Sequence, residues 1–114
     1  MRKEKFTIKK SFDEICKETI SILQKYYGDK SSLVIEKKGK EMWYYPLEQK
    51  LAHDPIRGFY IRIVKLNNST THIDVVDDGS DKFPYVFTKN MAQRFINELF
   101  IIYTETYEAL AKET

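Results

Sequence analysis

No stretch of this 114-residue chain approaches the run of about 20 apolar residues that a membrane-spanning helix needs. Its first residues, Met-Arg-Lys-Glu-Lys, are charged and lack the apolar segment of a secretory signal. A single cysteine, Cys16, excludes an internal disulfide and suits a reducing compartment. The only two histidines, His53 and His72, fall in separate segments, and a zinc set would have to recruit Cys16 from a helix. With four glycines, the sequence has neither a dinucleotide fingerprint nor a phosphate loop. The G-x-S-x-G and H-E-x-x-H patterns are absent too. These absences set the first expectations: a cytoplasmic protein, no enzyme, no catalytic residues, no cofactor, no metal and no membrane attachment.

What the chain does contain is enough for one core. Hydrophobic residues make up 42% and aromatics 14%, and a chain of this length forms one domain, residues 1–114. Charged residues are frequent, at 32%, but mixed in sign, so wholesale disorder is not expected. Their distribution is uneven. Residues 1–65 hold 15 Lys+Arg against 9 Asp+Glu, and residues 66–114 hold 4 against 8. The basic half is a possible field for an anionic partner, although lysines and glutamates also fill ordinary solvated faces.

Hydrophobic spacing orders the elements. Residues 1–10 read as a basic arm containing Phe6 and Ile8. S-F-D-E (11–14) is a capping box ahead of a helix whose stripe includes Phe12, Ile15, Cys16, Ile20, Leu23, Tyr26 and Tyr27. Cys16, on that stripe, reads as a buried inert thiol. Four strand-like segments follow in two hairpins. Between them, 47–57 is a long connecting loop with a helical turn near 48–53 and with His53 and Asp54 in an H-D-P-I-R stretch. P-Y-V-F (84–87) is a candidate fifth, edge strand. From Thr88 to about Lys112 the apolar spacing predicts a long helix. The expected fold is α+β, in the order α-β-β-β-β-α. It has a four-stranded (at most five-stranded) antiparallel meander, with the N-terminal helix and the long C-terminal helix packed on one face.

Strand alternation then sorts side chains between the two sheet faces. In the second hairpin, pairing Ile63 with Ile73 sends Phe59, Ile61 and Ile63 to the core and sets Arg62 across from Asp74 on the outer face. In the first hairpin, a three-residue loop at 37–39 opposes Glu36 to Lys40 and avoids like-charge pairs. That register sends Trp43 and Tyr45 to the core and Met42 and Tyr44 to the outer face.

The outer face so assembled, with Met42, Tyr44, Tyr60, Arg62 and Val64 at its centre, is aromatic for a surface and is the candidate partner-binding site. The C-terminal helix carries apolar residues beyond what a sheet-packing stripe needs. Phe100, Ile101 and Tyr107 make a second candidate, against the first helix, a partner or a second copy of the chain. Tyr, Met and Arg are residue types that anchor protein interfaces. The leading expectation is a small protein that binds another protein as an inhibitor, immunity or adaptor factor, homodimeric, of the bacterial or phage accessory kind. The alternative is a single-stranded DNA or RNA binder, in which Tyr44 and Tyr60 stack on bases while Arg62, Lys37, Lys38 and Lys65 meet phosphates. In the order of four antiparallel strands followed by a long helix, the chain resembles Pur-type nucleic-acid-binding domains, from which its leading helix departs.

Overall fold

The computed structural model describes residues 2–27, 33–51, 58–77, 91–103 and 111–113. The chain runs β1 (Arg2–Ile8), α1 (Phe12–Tyr27), β2 (Leu33–Lys38), β3 (Glu41–Pro46), α2 (Leu47–Leu51), β4 (Phe59–Asn67), β5 (Thr70–Asp77), α3 (Met91–Ile102) and β6 (Ala111–Glu113). The strands form one six-stranded sheet, ordered β2-β3-β4-β5-β1-β6, with every neighbouring pair antiparallel. The expected α+β class and the four-strand meander, here β2 to β5, are therefore present. The meander is extended on one side by two strands that hydrophobic spacing did not reveal.

The first of these replaces the expected basic arm. Residues 2–8 lie between β5 and β6, with Phe6 opposite Ile73 and Ile8 opposite Thr71. Phe6 and Ile8 point into the core, and Lys5 and Thr7 alternate to the other side. Two apolar residues beside three cations are a faint period-2 signal. The backbone supplies the stronger reason, because β5 would otherwise expose a full edge of unpaired N–H and C=O groups. The second is β6, which pairs with β1 through Thr7 and Ala111. It corrects the expected helix to Lys112: α3 is 12 residues long and stops at Ile102. The extra strands also take the element order further from the Pur-type pattern. The expected edge strand at 84–87, the cap at Thr88 and the H-D-P-I-R stretch at 53–57 lie outside the described residues.

Helix α1 begins as its capping box requires, with the Glu14 N–H donating to Ser11 Oγ at 3.2 Å. It carries the chain from β1 to β2 at the far edge, four strand spacings away, or about 19 Å at the usual separation. Sixteen residues of helix span about 24 Å, so the length of α1 fits the crossing. Helices α1 and α3 both lie on one sheet face and touch each other. Tyr103, just past α3, donates to Glu14 at the start of α1 (3.2 Å), and Lys25 near the end of α1 meets Glu98 at 3.0 Å. The core between helices and sheet includes Ile15, Ile22 and Leu23 from α1, Met91, Phe95 and Leu99 from α3, and Ile61, Ile63, Ile73 and Val75 from the sheet.

One strand is inverted relative to the sequence-based assignment. The β2–β3 turn is the two-residue loop Gly39-Lys40, which sets Lys38 opposite Glu41, Glu36 opposite Trp43 and Val34 opposite Tyr45. Gly39 has φ of 61°, and the favoured two-residue hairpin turns need a positive φ at that first loop position. The loop therefore starts at Gly39 rather than ending there. Its opposite-charge pair, Lys38 with Glu41, avoids the repulsions that argued for a longer loop. The shift is odd in residue count, so β3 turns over. Tyr44 enters the core and Met42 packs at its margin, while Trp43 goes to the outer face. Tyr44 is fully buried, and its hydroxyl donates to the Cys16 carbonyl at 3.4 Å. The second hairpin has the expected register throughout, Ile63 opposite Ile73 and Arg62 opposite Asp74, with a bulge between Lys65 and Asn67 supplying the odd residue.

If β1 is an interior strand, Phe6→Ala should lower unfolding free energy by about 3–5 kcal/mol, the range for truncating a buried Phe. Urea denaturation followed by far-UV circular dichroism measures it. A loss below about 0.5 kcal/mol, the scale of a surface substitution, would return residues 1–10 to the status of an arm.

Candidate functional site on the outer sheet face

The face opposite α1 and α3 is built from alternate residues of five strands. One cross-strand row runs Glu36, Trp43, Arg62, Asp74 and Lys5 from β2 through to β1. A second row, toward the hairpin tips, runs Lys38, Glu41, Val64, His72 and Thr7. Cross-strand neighbours in such rows are close enough to interact, and diagonal positions are within reach of rings and long side chains.

Trp43 is the centre of this surface. Its ring stacks on the diagonal neighbour Tyr60, with centroids 5.2 Å apart and planes 26° from parallel. The Lys38 ammonium lies 5.1 Å from the indole centroid and the Arg62 guanidinium 5.8 Å, both within cation–π range. The indole Nε1 is buried and makes no hydrogen bond among the described residues. A buried donor without an acceptor costs on the order of 1–3 kcal/mol, so this N–H is a feature that stability alone does not account for.

Around the rings, the charges are mostly neutralised in place. Arg62 is held by Glu41 through Nε and by Asp74 through Nη1, the latter at 2.8 Å. Asp74 also meets His72 Nε2 at 2.8 Å, so each of its carboxylate oxygens has a partner. Burial of Asp74 raises its pKa, but hydrogen bonds from Arg62 and His72 outweigh that and hold it below the usual carboxylate value. For Arg62, desolvation acts to lower the pKa, and the two carboxylates carry it upward. Burial raises the Tyr60 phenol, as does the Asp74 charge, while Arg62 opposes them. The His72–Asp74 pair is of a type used in acid–base chemistry. Here the carboxylate is shared with Arg62 and both side chains are nearly buried: the Arg62–Asp74 bond ties β4 to β5, and His72, on β5 itself, holds the carboxylate that orients the arginine.

At the end of the face where β3 leaves the sheet, Tyr45 and Val76 are buried and α2 packs on β2 and β3. The Tyr45 hydroxyl donates to Glu36, which also meets Lys50 of α2 at 3.5 Å and Lys38 at 3.7 Å. Burial and the Glu36 carboxylate push the Tyr45 phenol up to about 12, and that hydrogen bond holds Glu36 below its ordinary value. Buried Gln49 accepts the Phe59 N–H at 2.9 Å, beyond the last β3–β4 residue pair. The long connecting loop therefore starts as a short helix with a structural task.

Of the sequence-predicted site residues, Tyr60, Arg62 and Val64 are together on this face. Met42 and Tyr44 are not; Trp43 stands in their place. The signal that would have found it is Gly39 taken as the first loop residue. On α3, Phe100 packs edge-on against Phe6 (5.6 Å, 85°), Ile101 is 70% exposed, and Tyr107 lies outside the described residues. Among the described residues no group of three or more His, Cys, Asp or Glu side chains is placed to hold a metal ion. Nor is any helix long and apolar enough to cross a membrane. Neither a family model nor a curated protein matches the chain.

The Asp74 network has a defined pH signature. A carboxylate whose folded pKa is depressed contributes stability at all pH values above its unfolded pKa, near 3.9, and loses that contribution as pH falls through the lower folded value. Urea midpoints of the wild type should therefore fall below about pH 4, and Asp74→Asn should flatten that acid limb while lowering stability at pH 7. An unchanged acid limb in the variant would remove Asp74 from the account.

Proposed function

We propose that this protein is a small, non-enzymatic, cytoplasmic binding protein that docks another protein through the outer sheet face centred on Trp43 and Tyr60. The observation that carries the reading is the stacked Trp43–Tyr60 pair, whose indole N–H has no acceptor among the described residues. Tyr, Trp and Arg are the residues in which interface binding energy concentrates, and here one of each is grouped on a sheet face. A partner that brings a carbonyl or carboxylate oxygen to Nε1 would satisfy the orphaned donor. An inhibitor, immunity or adaptor role fits a sheet face whose charges are tied together across its strands.

The charge balance favours protein over nucleic acid as partner. A phosphate backbone is held by cations free to replace its counterions. Arg62, the cation beside the rings, is already committed to Glu41 and Asp74, and Lys38 is close to Glu36. Self-association is part of the proposal, through α3: Ile101 and Ile102 are 70% and 40% exposed and adjacent.

Affinity capture from the source organism, with the full chain as bait, should recover a protein that Trp43→Ala and Tyr60→Ala lose. Truncating an interface hot spot costs about 2 kcal/mol or more, roughly thirtyfold in affinity. Circular dichroism confirms that each variant is folded. Equal recovery by both variants would remove the face from the proposal. Binding of a labelled single-stranded oligonucleotide that collapses with salt and with Arg62→Glu would make nucleic acid the partner instead.

Sedimentation tests the second surface. The wild type should sediment as a dimer at micromolar concentration and Ile101→Glu as a monomer; a monomeric wild type ends the homodimer proposal.

A further inference from the structure

A second concave surface lies on the helix-bearing side of the sheet, at the hairpin tips and away from Trp43. The start of α1, the β2–β3 turn and the β4–β5 hairpin enclose a cleft of about 480 Å³, within the range of small-molecule sites. Its charged lining is Lys37, Lys40 and Lys65 against the single carboxylate of Asp13. The three lysines come from different places in the chain, the end of β2, the turn and the bulged part of β4. The Lys65 N–H donates to the Lys40 carbonyl at 3.0 Å, which fixes two of their backbones side by side. None of the three ammonium groups forms an ion pair with a described residue, whereas Lys25, Lys38 and Lys50 each do. Asp13 lies in the first turn of α1, where the helix dipole already favours its negative charge.

The remaining lining separates by chemistry. Phe12 and Leu66 provide the apolar part, and Leu66, at the bulge of β4, is 53% exposed. Bulges re-aim side chains and are frequent beside binding sites. Asn67 and Asn68 provide amides; the Asn67 carbonyl oxygen is occupied by the Ser69 N–H and hydroxyl, leaving its NH₂ as the group it can offer. At Gly39, a side chain would meet nothing within 4 Å, so the turn leaves open space beside Lys40.

We propose that this cleft binds a phosphate-bearing small molecule, its anionic group held by Lys37, Lys40 and Lys65 and its apolar or aromatic body lying on Phe12 and Leu66. The three cations exceed the one carboxylate by two charges, which matches a phosphate dianion. Concavity argues for a compact ligand over an extended acidic chain, since a peptide surface needs no enclosed volume. The site is independent of the protein-docking face: Lys37 and Lys65 project on the helix side of the sheet, and Trp43 and Arg62 on the other.

Titration calorimetry at low salt with ATP, pyrophosphate and adenosine as probes tests the assignment. ATP should bind saturably and weaken steeply as salt rises; pyrophosphate should bind less tightly and adenosine not at all. Lys40→Glu and Lys65→Glu, at exposed positions, should each weaken ATP by about tenfold or more, while Trp43→Ala leaves it unchanged. Amide chemical-shift changes should centre on Phe12, Lys40 and Lys65. No saturable binding of ATP or pyrophosphate at millimolar concentration overturns the proposal. So does binding insensitive to both lysine reversals, or a polyglutamate peptide that binds the cleft while ATP fails to compete. Failure here leaves the protein-docking proposal standing, because the two rest on different residues.

Discussion

A glycine that can take a positive φ decides which rings this protein buries. With Gly39 as first residue of a two-residue turn, β3 has one register against β2, and that register assigns each of its side chains to a face. Tyr44 then projects between the sheet and α1, where its ring fills the core and its hydroxyl reaches the Cys16 carbonyl. Any odd shift would bury Trp43 instead and bring Tyr44 out. The β3–β4 ladder carries the same choice onward, because Trp43 opposite Arg62 requires Tyr44 opposite Ile61. Core and outer face are thus two consequences of one turn. A non-glycine residue at position 39 would meet no steric neighbour, but it would oppose the backbone conformation on which both depend.

The outer face is held in shape by charge and held open by what those charges leave undone. Across the central row a carboxylate, an aromatic ring, a guanidinium, a second carboxylate and an ammonium alternate over five strands. Pairs of this kind contribute little where they are exposed, but Asp74 is nearly buried and shares its two oxygens between Arg62 and His72. Removing either neighbour would leave a buried acceptor unpaired, which is the costly direction. The result is a guanidinium fixed beside the Trp43 ring rather than a mobile cation. Preorganisation of this kind lowers the entropic cost of docking a partner, and it is the physical link between the network and the proposed function.

Much of this was legible in the residues, and the failures have identifiable causes. Alternation of Phe59, Ile61 and Ile63 against Ile73 and Val75 specified the second hairpin, including its need for an odd residue. The capping box located α1, and Cys16 on its stripe read correctly as buried; desolvation raises that thiol. The missed strands share one property: their pairing partners are remote in sequence. Residues 2–8 pair with 71–77, and 111–113 pair with 5–7. Local spacing carries almost no trace of such pairing when the strand holds only two apolar residues, and β6 contributes three residues in all. The inversion of β3 arose differently. The loop 37–39 placed Gly39 at the last position, and charge pairing alone then selected a wrong register. The backbone requirement at the first loop position was the missing constraint.

The uneven charge of the sequence also takes on a structural meaning. A cluster of cations in the first 65 residues could have formed one basic face, and among the described residues it does not. Lys3 and Lys5 alternate outward from β1, an interior strand; Lys38 and Lys50 are spent on Glu36; Lys25 meets Glu98. What remains concentrated is Lys37, Lys40 and Lys65, and they are brought together by folding rather than by sequence. The β2–β3 turn delivers Lys40, the end of β2 delivers Lys37, and the β3–β4 ladder, continued one step beyond Glu41 and Val64, sets Lys65 next to Lys40. Three like charges gathered around a single carboxylate repel one another, a modest cost in water and a larger one in a partly enclosed cleft. A fold that pairs Lys38 and Arg62 with carboxylates and gathers three lysines around a cavity with one carboxylate, Asp13, has the arrangement expected of a site awaiting an anion.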